Sequence, residues 1–283
     1  MEKEKIENLS LQKYINQDAI KARFREILGE RANTFISAVI SLANNNQQLK
    51  KASPESITMA GIMAATLNLP INQNLGFAYV IPYNCKVGDN WVVQAQFQIG
   101  YKGIIQLAQR SGQFKTINVS DVKEGEIKEF DRLTGEIIFE WNQDREKLKT
   151  IGYVAYFALL NGFSKSMYKT IDELKEHGLK FSKTFSNEKT RKNSLWETDF
   201  NSMAFKTMIK LLLGKYAPLS VELERAIIAD QSVIKNEETM EIEYVDNDAI
   251  ELKEVKSGEE KKKELKEKAA NKTENTNPAL ELM

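Results

Sequence analysis

Between residues 94 and 110 the chain sets Gln94, Gln96, Gln98, Lys102, Gln106, Gln109 and Arg110 around Gly100 and Gly103. Amides and cations without a paired acid or thiol suit the holding of an anion, not the making or breaking of a bond. The period of the pattern changes partway. Trp91, Val93, Ala95, Phe97 and Ile99 alternate with the glutamines, as on a strand with one apolar face. After Gly100 the spacing becomes helical: Tyr101, Ile104, Ile105, Leu107 and Ala108 share one side, and Lys102, Gln106, Gln109 and Arg110 the other. A strand is thus expected to feed a helix whose first turn joins free N–H groups to Lys102, an arrangement suited to a phosphate. The Gln94, Gln96 and Gln98 row reads either as a solvent face or as neutral contacts to phosphate and sugar oxygens.

Other residues admit chemistry less readily. Lys206 and Lys210 stand one turn apart on a strongly amphipathic stretch, and by spacing alone they read as solvating lysines. Lys180, Lys183, Lys189, Arg191 and Lys192, interleaved with Phe181, Phe185 and Trp196, read as a mobile basic loop. Aromatics there could stack on bases while cations follow a nucleic-acid backbone. Trp196, and likewise Tyr83 and Trp91, are expected as core anchors before stacking platforms. His177 is the only histidine, which excludes a histidine triad or a His-rich zinc site, and it is expected at the surface beside a helix end at Gly178. No phosphate loop ending in Gly-Lys-Ser/Thr occurs, so an ATP-driven mechanism is not expected. Asp121, Glu124, Glu126, Glu129 and Asp131 crowd one region. They fit a Mg²⁺ nuclease or, more simply, a solvated hairpin edge shared with Lys123 and Lys128.

The elements that must position these residues follow from period and punctuation. Residues 10–69 read as helices, with Ser53 as an N-cap, Pro54 at the first helical position and Pro70 as the stop. Residues 75–170 read mainly as strands. The segments 77–81 and 91–99 flank a Gly-Asp turn, and further strands are expected near 114–123, 126–131, 136–141, 151–160 and 163–168. Thr170 and Glu173 have capping-box spacing. A long helix over 199–215 and a short one from Ser220 to about Ala229 complete residues 171–230. Residues 231–283 hold nine Lys against fourteen Asp or Glu, and residues 1–230 hold 31 basic against 26 acidic. The net charge of zero therefore conceals a body of +5 and a tail of −5, a layout compatible with nucleic-acid binding. The tail is expected to be disordered. With 28% charged residues and no membrane-length apolar run, no membrane association is expected. The charged start Met1-Glu-Lys-Glu-Lys5 does not read as a signal peptide, and one cysteine, Cys85, excludes an internal disulfide or thiolate metal cluster. These features point to the cytoplasm, and no metal or other cofactor is expected.

The segment Gln96-Phe-Gln-Ile-Gly-Tyr-Lys-Gly-Ile-Ile-Gln-Leu-Ala-Gln-Arg-Ser-Gly112 closely resembles the signature of the RecT family of phage-type single-strand DNA annealing proteins. Ser53-Pro-Glu-Ser-Ile57 with Ala64-Ala-Thr-Leu-Asn-Leu-Pro70, then Leu75-Gly-Phe-Ala-Tyr-Val-Ile-Pro-Tyr83, and finally Trp196 with Met203-Ala-Phe-Lys-Thr-Met-Ile-Lys210 and Pro218 match in family order. The resemblance covers roughly residues 10–230. A Gly-x-x-Gly pair alone also fits a KH loop, but that loop joins two helices and this one follows a strand.

The resemblance implies an α+β body: N-terminal helices, a curved, mostly antiparallel sheet, and helices packed on one face. It implies a non-enzymatic protein that binds single-stranded DNA without ATP and anneals complementary strands during recombination, as a ring- or filament-forming oligomer in a bacterial host. Lys102, Arg110, Arg191, Lys192, Lys206 and Lys210 are the expected DNA contacts, with Gln94, Gln98 and Tyr101 as secondary ones. The resemblance suggests a phage exonuclease or the host single-strand-binding protein as partners of the acidic tail. A Mg²⁺-dependent nuclease and a non-annealing scaffold are the alternatives.

Overall fold

The structure, a computed structural model, describes residues 10–87, 90–140, 142–236 and 241–244. Four helices open the chain: α1 Leu11–Ile15, α2 Asp18–Leu28, α3 Ala32–Asn45 and α4 Pro54–Thr66. Ser53 caps α4, its Oγ accepting from Ser56 N at 3.2 Å, and Pro54 occupies the first helical position. Ile57, Ala60, Ile62, Met63, Ala64 and Ala65 are all buried, so α4 is the central helix of the N-terminal group and not a one-sided surface helix.

Strands β1 Ala78–Val87 and β2 Asn90–Ile99 pair in continuous antiparallel register from Ala78↔Ile99 to Val87↔Asn90. The central turn residues 88 and 89 lie outside the described residues. The apolar side of β2 packs on α4, and Ser56 Oγ accepts from Ala95 N at 2.9 Å. Helix α5 Tyr101–Arg110 follows directly. A second sheet, in the order β3 Phe114–Lys123, β6 Thr150–Leu159, β7 Ser164–Thr170, is antiparallel throughout, and the hairpin of β4 Ile127–Phe130 and β5 Ile137–Phe139 lies between β3 and β6 in sequence. Helices α6 Ile171–Phe181, α7 Lys183–Ser186, α8 Leu195–Thr198, α9 Phe200–Tyr216 and α10 Val221–Ala229 complete the described helical part. Helix α9 packs on β3, β6, β7 and α5, and one core runs from Phe24 and Ile57 through Phe97 and Ile104 to Phe157, Met208 and Leu223. The protein is α+β, with an N-terminal helical region and open antiparallel sheets.

Three expectations are corrected. The body does not stop at residue 230: β8 Ser232–Asn236 and β9 Glu241–Tyr244 extend the first sheet in the order β1-β2-β8-β9, with Val233 and Ile234 buried. Residues 237–240 and 245–283 of the expected tail lie outside the described residues. The segment 180–196 is not an open loop. It is folded into α7, a 3-10 turn and α8, with Phe185 and Trp196 buried. Gly178 does not end its helix: α6 continues to Phe181, and a Cβ on Gly178 would lie 2.7 Å from the Trp196 ring. His177 is accordingly half-buried, 4.5 Å from the Phe181 ring centroid.

Candidate nucleic-acid interface

The strand-to-helix junction has a backbone reason for its glycines. Gly100 N donates to Phe77 O at 2.9 Å. A Cβ on Gly100 would lie 2.1 Å from Gly76 O, and one on Gly103 2.2 Å from Phe77 O. The first turn of α5 can therefore meet the crossing segment 76–77 only if both positions lack a side chain. This close approach accounts for the spacing that suggested a phosphate cradle. Lys102 is exposed and has no ion-pair partner among the described residues. Tyr101 is half-buried, its ring edge-on to Phe205 at 5.5 Å.

Lys206 and Lys210 converge on a residue that periodicity did not single out. Asp230, fully buried as a side chain, accepts from Lys206 Nζ at 2.7 Å, Lys210 Nζ at 2.8 Å and Ile99 N at 3.2 Å. Lys206 is buried, which corrects its expected place on a solvated helix face. Lys210 keeps 31% of its side chain exposed. Burial pulls the Lys206 ammonium below its ordinary pKa, with Asp230 pushing back. Burial acts to raise Asp230, but Lys206 and Lys210 outweigh it and hold the carboxyl below the usual range. The carboxylate thus fastens the end of β2, the middle of α9 and the exit from α10 at one point. No local sequence signal marks it, because Asp230 lies 20 and 24 residues from its lysines.

The other expected contacts are dispersed. The exposed Arg110, at the far end of α5, donates to Leu67 O at 2.9 Å and Asn68 O at 3.0 Å, satisfying carbonyls at the end of α4. Arg191 donates to Phe185 O at 2.9 Å and lies over the Phe185 ring; Lys192 is exposed. The glutamine row is mostly turned to internal use. Gln96 is fully buried, Gln98 Nε2 donates to Gln96 Oε1 at 3.4 Å, and Gln94 Oε1 accepts from Cys85 Sγ at 3.2 Å. A solvent-face reading therefore does not describe Gln96.

The acidic group does not converge on an open metal position. Arg145 Nε donates to Glu126 Oε1 at 2.8 Å and Arg145 Nη2 to Asp121 Oδ1 at 3.1 Å, while Lys123 Nζ holds Asp121 Oδ2 at 2.9 Å. Burial acts to raise both acids, and the cations outweigh it, leaving each below its ordinary pKa. Asp131 accepts from Leu133 N at 2.8 Å and serves its own turn. No acidic, histidine or cysteine cluster able to hold a metal ion occurs among the described residues.

The chain is 39% identical over 260 residues to YqaK of Bacillus subtilis (strain 168), covering 92% of this chain and 84% of that protein. It is 28% identical over 238 residues to protein RecT of Escherichia coli (strain K12), covering 80% and 82%. A sequence model of the RecT family matches residues 33–248, which include the β2–α5 junction, α9, Asp230 and the β8–β9 extension, and on that match the chain belongs to the RecT family.

Proposed function

We propose that this protein binds single-stranded DNA through its phosphates and anneals it to a complementary strand, without ATP and as an oligomer, in phage-type recombination. The observation that carries the reading is the junction of β2 with α5 in a RecT-family chain. Exposed Lys102 follows Ile99 by three residues, and Ile99 shares the Asp230 carboxylate with the partly exposed Lys210. Cations fixed on rigid elements can hold successive phosphates while the base edges stay free, so pairing with the second strand supplies all sequence discrimination. Lys192, Arg191 and Arg110 contribute at a greater remove, Arg110 and Arg191 sharing their guanidinium groups with backbone carbonyls. Lys206 acts through Asp230 and not on DNA. Gln94, Gln98 and Tyr101 remain secondary contacts. Strands β8 and β9 tie residues 232–236 and 241–244 into the first sheet, so recruitment of an exonuclease or a single-strand-binding protein falls to the charged stretch after them, where residues 245–283 hold ten Asp or Glu against eight Lys. No described helix is long and apolar enough to cross a membrane, in keeping with action on DNA in the cytoplasm.

The test is annealing of two dye-labelled complementary oligonucleotides with EDTA present and ATP absent. The expected result is acceleration over the spontaneous rate that collapses at high salt. Lys102→Ala with Lys192→Ala should flatten the log–log salt dependence of binding by about 0.7 per phosphate contact removed. Tight binding without acceleration would instead make the protein a scaffold, and Mg²⁺-dependent cleavage would make it a nuclease.

A further inference from the structure

The turn end of the β1–β2 ribbon carries an indole that the core does not use. Trp91 continues the alternation that buries Ala95, Phe97 and Ile99, yet it is 73% exposed. The reason is where α4 begins. Ser53 N donates to Val93 O at 3.2 Å and Ser56 Oγ accepts from Ala95 N, so the helix meets β2 inboard of Trp91 and leaves the strand end uncovered. Just ahead of α4, the 3-10 turn Leu49–Lys51 packs beside β2, and Ala52 makes a parallel bridge to Val93. The parallel sense places Lys51, then Lys50, toward the Trp91 end. Both lysines are exposed and neither has an ion-pair partner among the described residues. Lys86 stands opposite Trp91 in the strand register.

We infer that Trp91, Lys50 and Lys51 form a second contact for single-stranded nucleic acid, the indole stacking on a base and the lysines holding neighbouring phosphates. An exposed indole beside such cations matches a chain that alternates π-faces with negative charge. An apolar protein or lipid surface would leave those cations without counter-charge. Trp91 and Ile99 are separated by about 26 Å of strand at ~3.3 Å per residue. The patch therefore lengthens the track of the strand along the ribbon, away from Lys102. The inference rests on the single-strand-binding reading above.

The test compares the full chain with its Trp91→Ala, Trp91→Phe and Lys50→Ala/Lys51→Ala variants. Anisotropy would be measured with a labelled oligo-dT and with an abasic oligonucleotide of equal length. Trp91→Ala should weaken oligo-dT binding on the order of 5- to 100-fold and leave abasic binding unchanged, with Trp91→Phe retaining most of the affinity. The double lysine variant should lower the salt slope by about 1.4 on both ligands. If Trp91→Ala binds oligo-dT as the native chain does, this patch is wrong and the Lys102 reading stands. If the native chain binds neither ligand, both readings fail together. A changed sedimentation coefficient in Trp91→Ala, with per-subunit DNA affinity intact, would assign the indole to a contact between copies and overturn the proposal. An unchanged melting curve identifies a folded variant. Should Trp91→Ala not fold, the lysine pair decides: an unchanged affinity and salt slope in Lys50→Ala/Lys51→Ala overturns the patch.

Discussion

Asp230 shows how one carboxylate can decide the role of two lysines. Its buried side chain holds Lys206, Lys210 and the Ile99 amide, and burying such charges is tolerable only because each has its partner. Asp230→Asn keeps the shape and removes the countercharge, leaving the Lys206 ammonium buried and unpaired. We expect a loss of about 3–5 kcal/mol, measurable by urea unfolding. Adding Lys206→Met should recover part of it, because a matched apolar replacement removes the unpaired charge. The same double variant should leave the salt slope of DNA binding unaltered if Lys206 acts only through Asp230. Spacing placed Lys206 on a polar helix face. The fold buries that face because α10 returns the chain to it, which no window around residue 206 contains.

At the scale of elements, one glycine in α5 and one in α9 make a controlled pair. Alanine is favoured over glycine in a helix interior by about 1 kcal/mol. A Cβ on Gly214 in α9 would meet nothing within 4 Å, so Gly214→Ala should raise the melting temperature by a few degrees. Gly103→Ala in α5 carries the same helix gain but would press its methyl to 2.2 Å from Phe77 O, so it should lower the melting temperature and loosen the β2–α5 junction. Calorimetry of the two variants checks both signs. Strands β1 to β7 were legible from alternation and turn residues, and β3 coincides with the expected 114–123. The strands β8 and β9 were not. They lie in a charge-rich stretch whose few apolar residues, Val233, Ile234 and Ile242, become a strand pair only because β2 offers an edge.

Across the whole molecule, acid should weaken the fold in two stages. Burial holds His177 below its ordinary pKa, with Lys169, Lys210 and Lys180 adding to the effect. The unfolded chain therefore binds that proton first. Stability should begin to fall as pH drops below about 6.5, at no more than ~1.4 kcal/mol per pH unit, and His177→Gln should remove this stage. Asp121, Glu126 and Asp230 are held below their ordinary values, so their contribution is present above about pH 4 and is lost as pH falls through the lowered folded values. Urea titrations at stepped pH resolve the two stages. The sequence by itself determined the family, the order of helices and strands from the N-terminal helices to β7, and the strand-to-helix junction, because period, caps and turn residues act over short windows. Only the tertiary structure decided which cations face solvent, that Gln96 and Lys206 are buried, that Trp91 is not, and that the folded unit extends past residue 230. Burial and charge pairing are set by residues tens of positions apart, and the two lysines that meet Asp230 could not be paired with it until the chain had folded back.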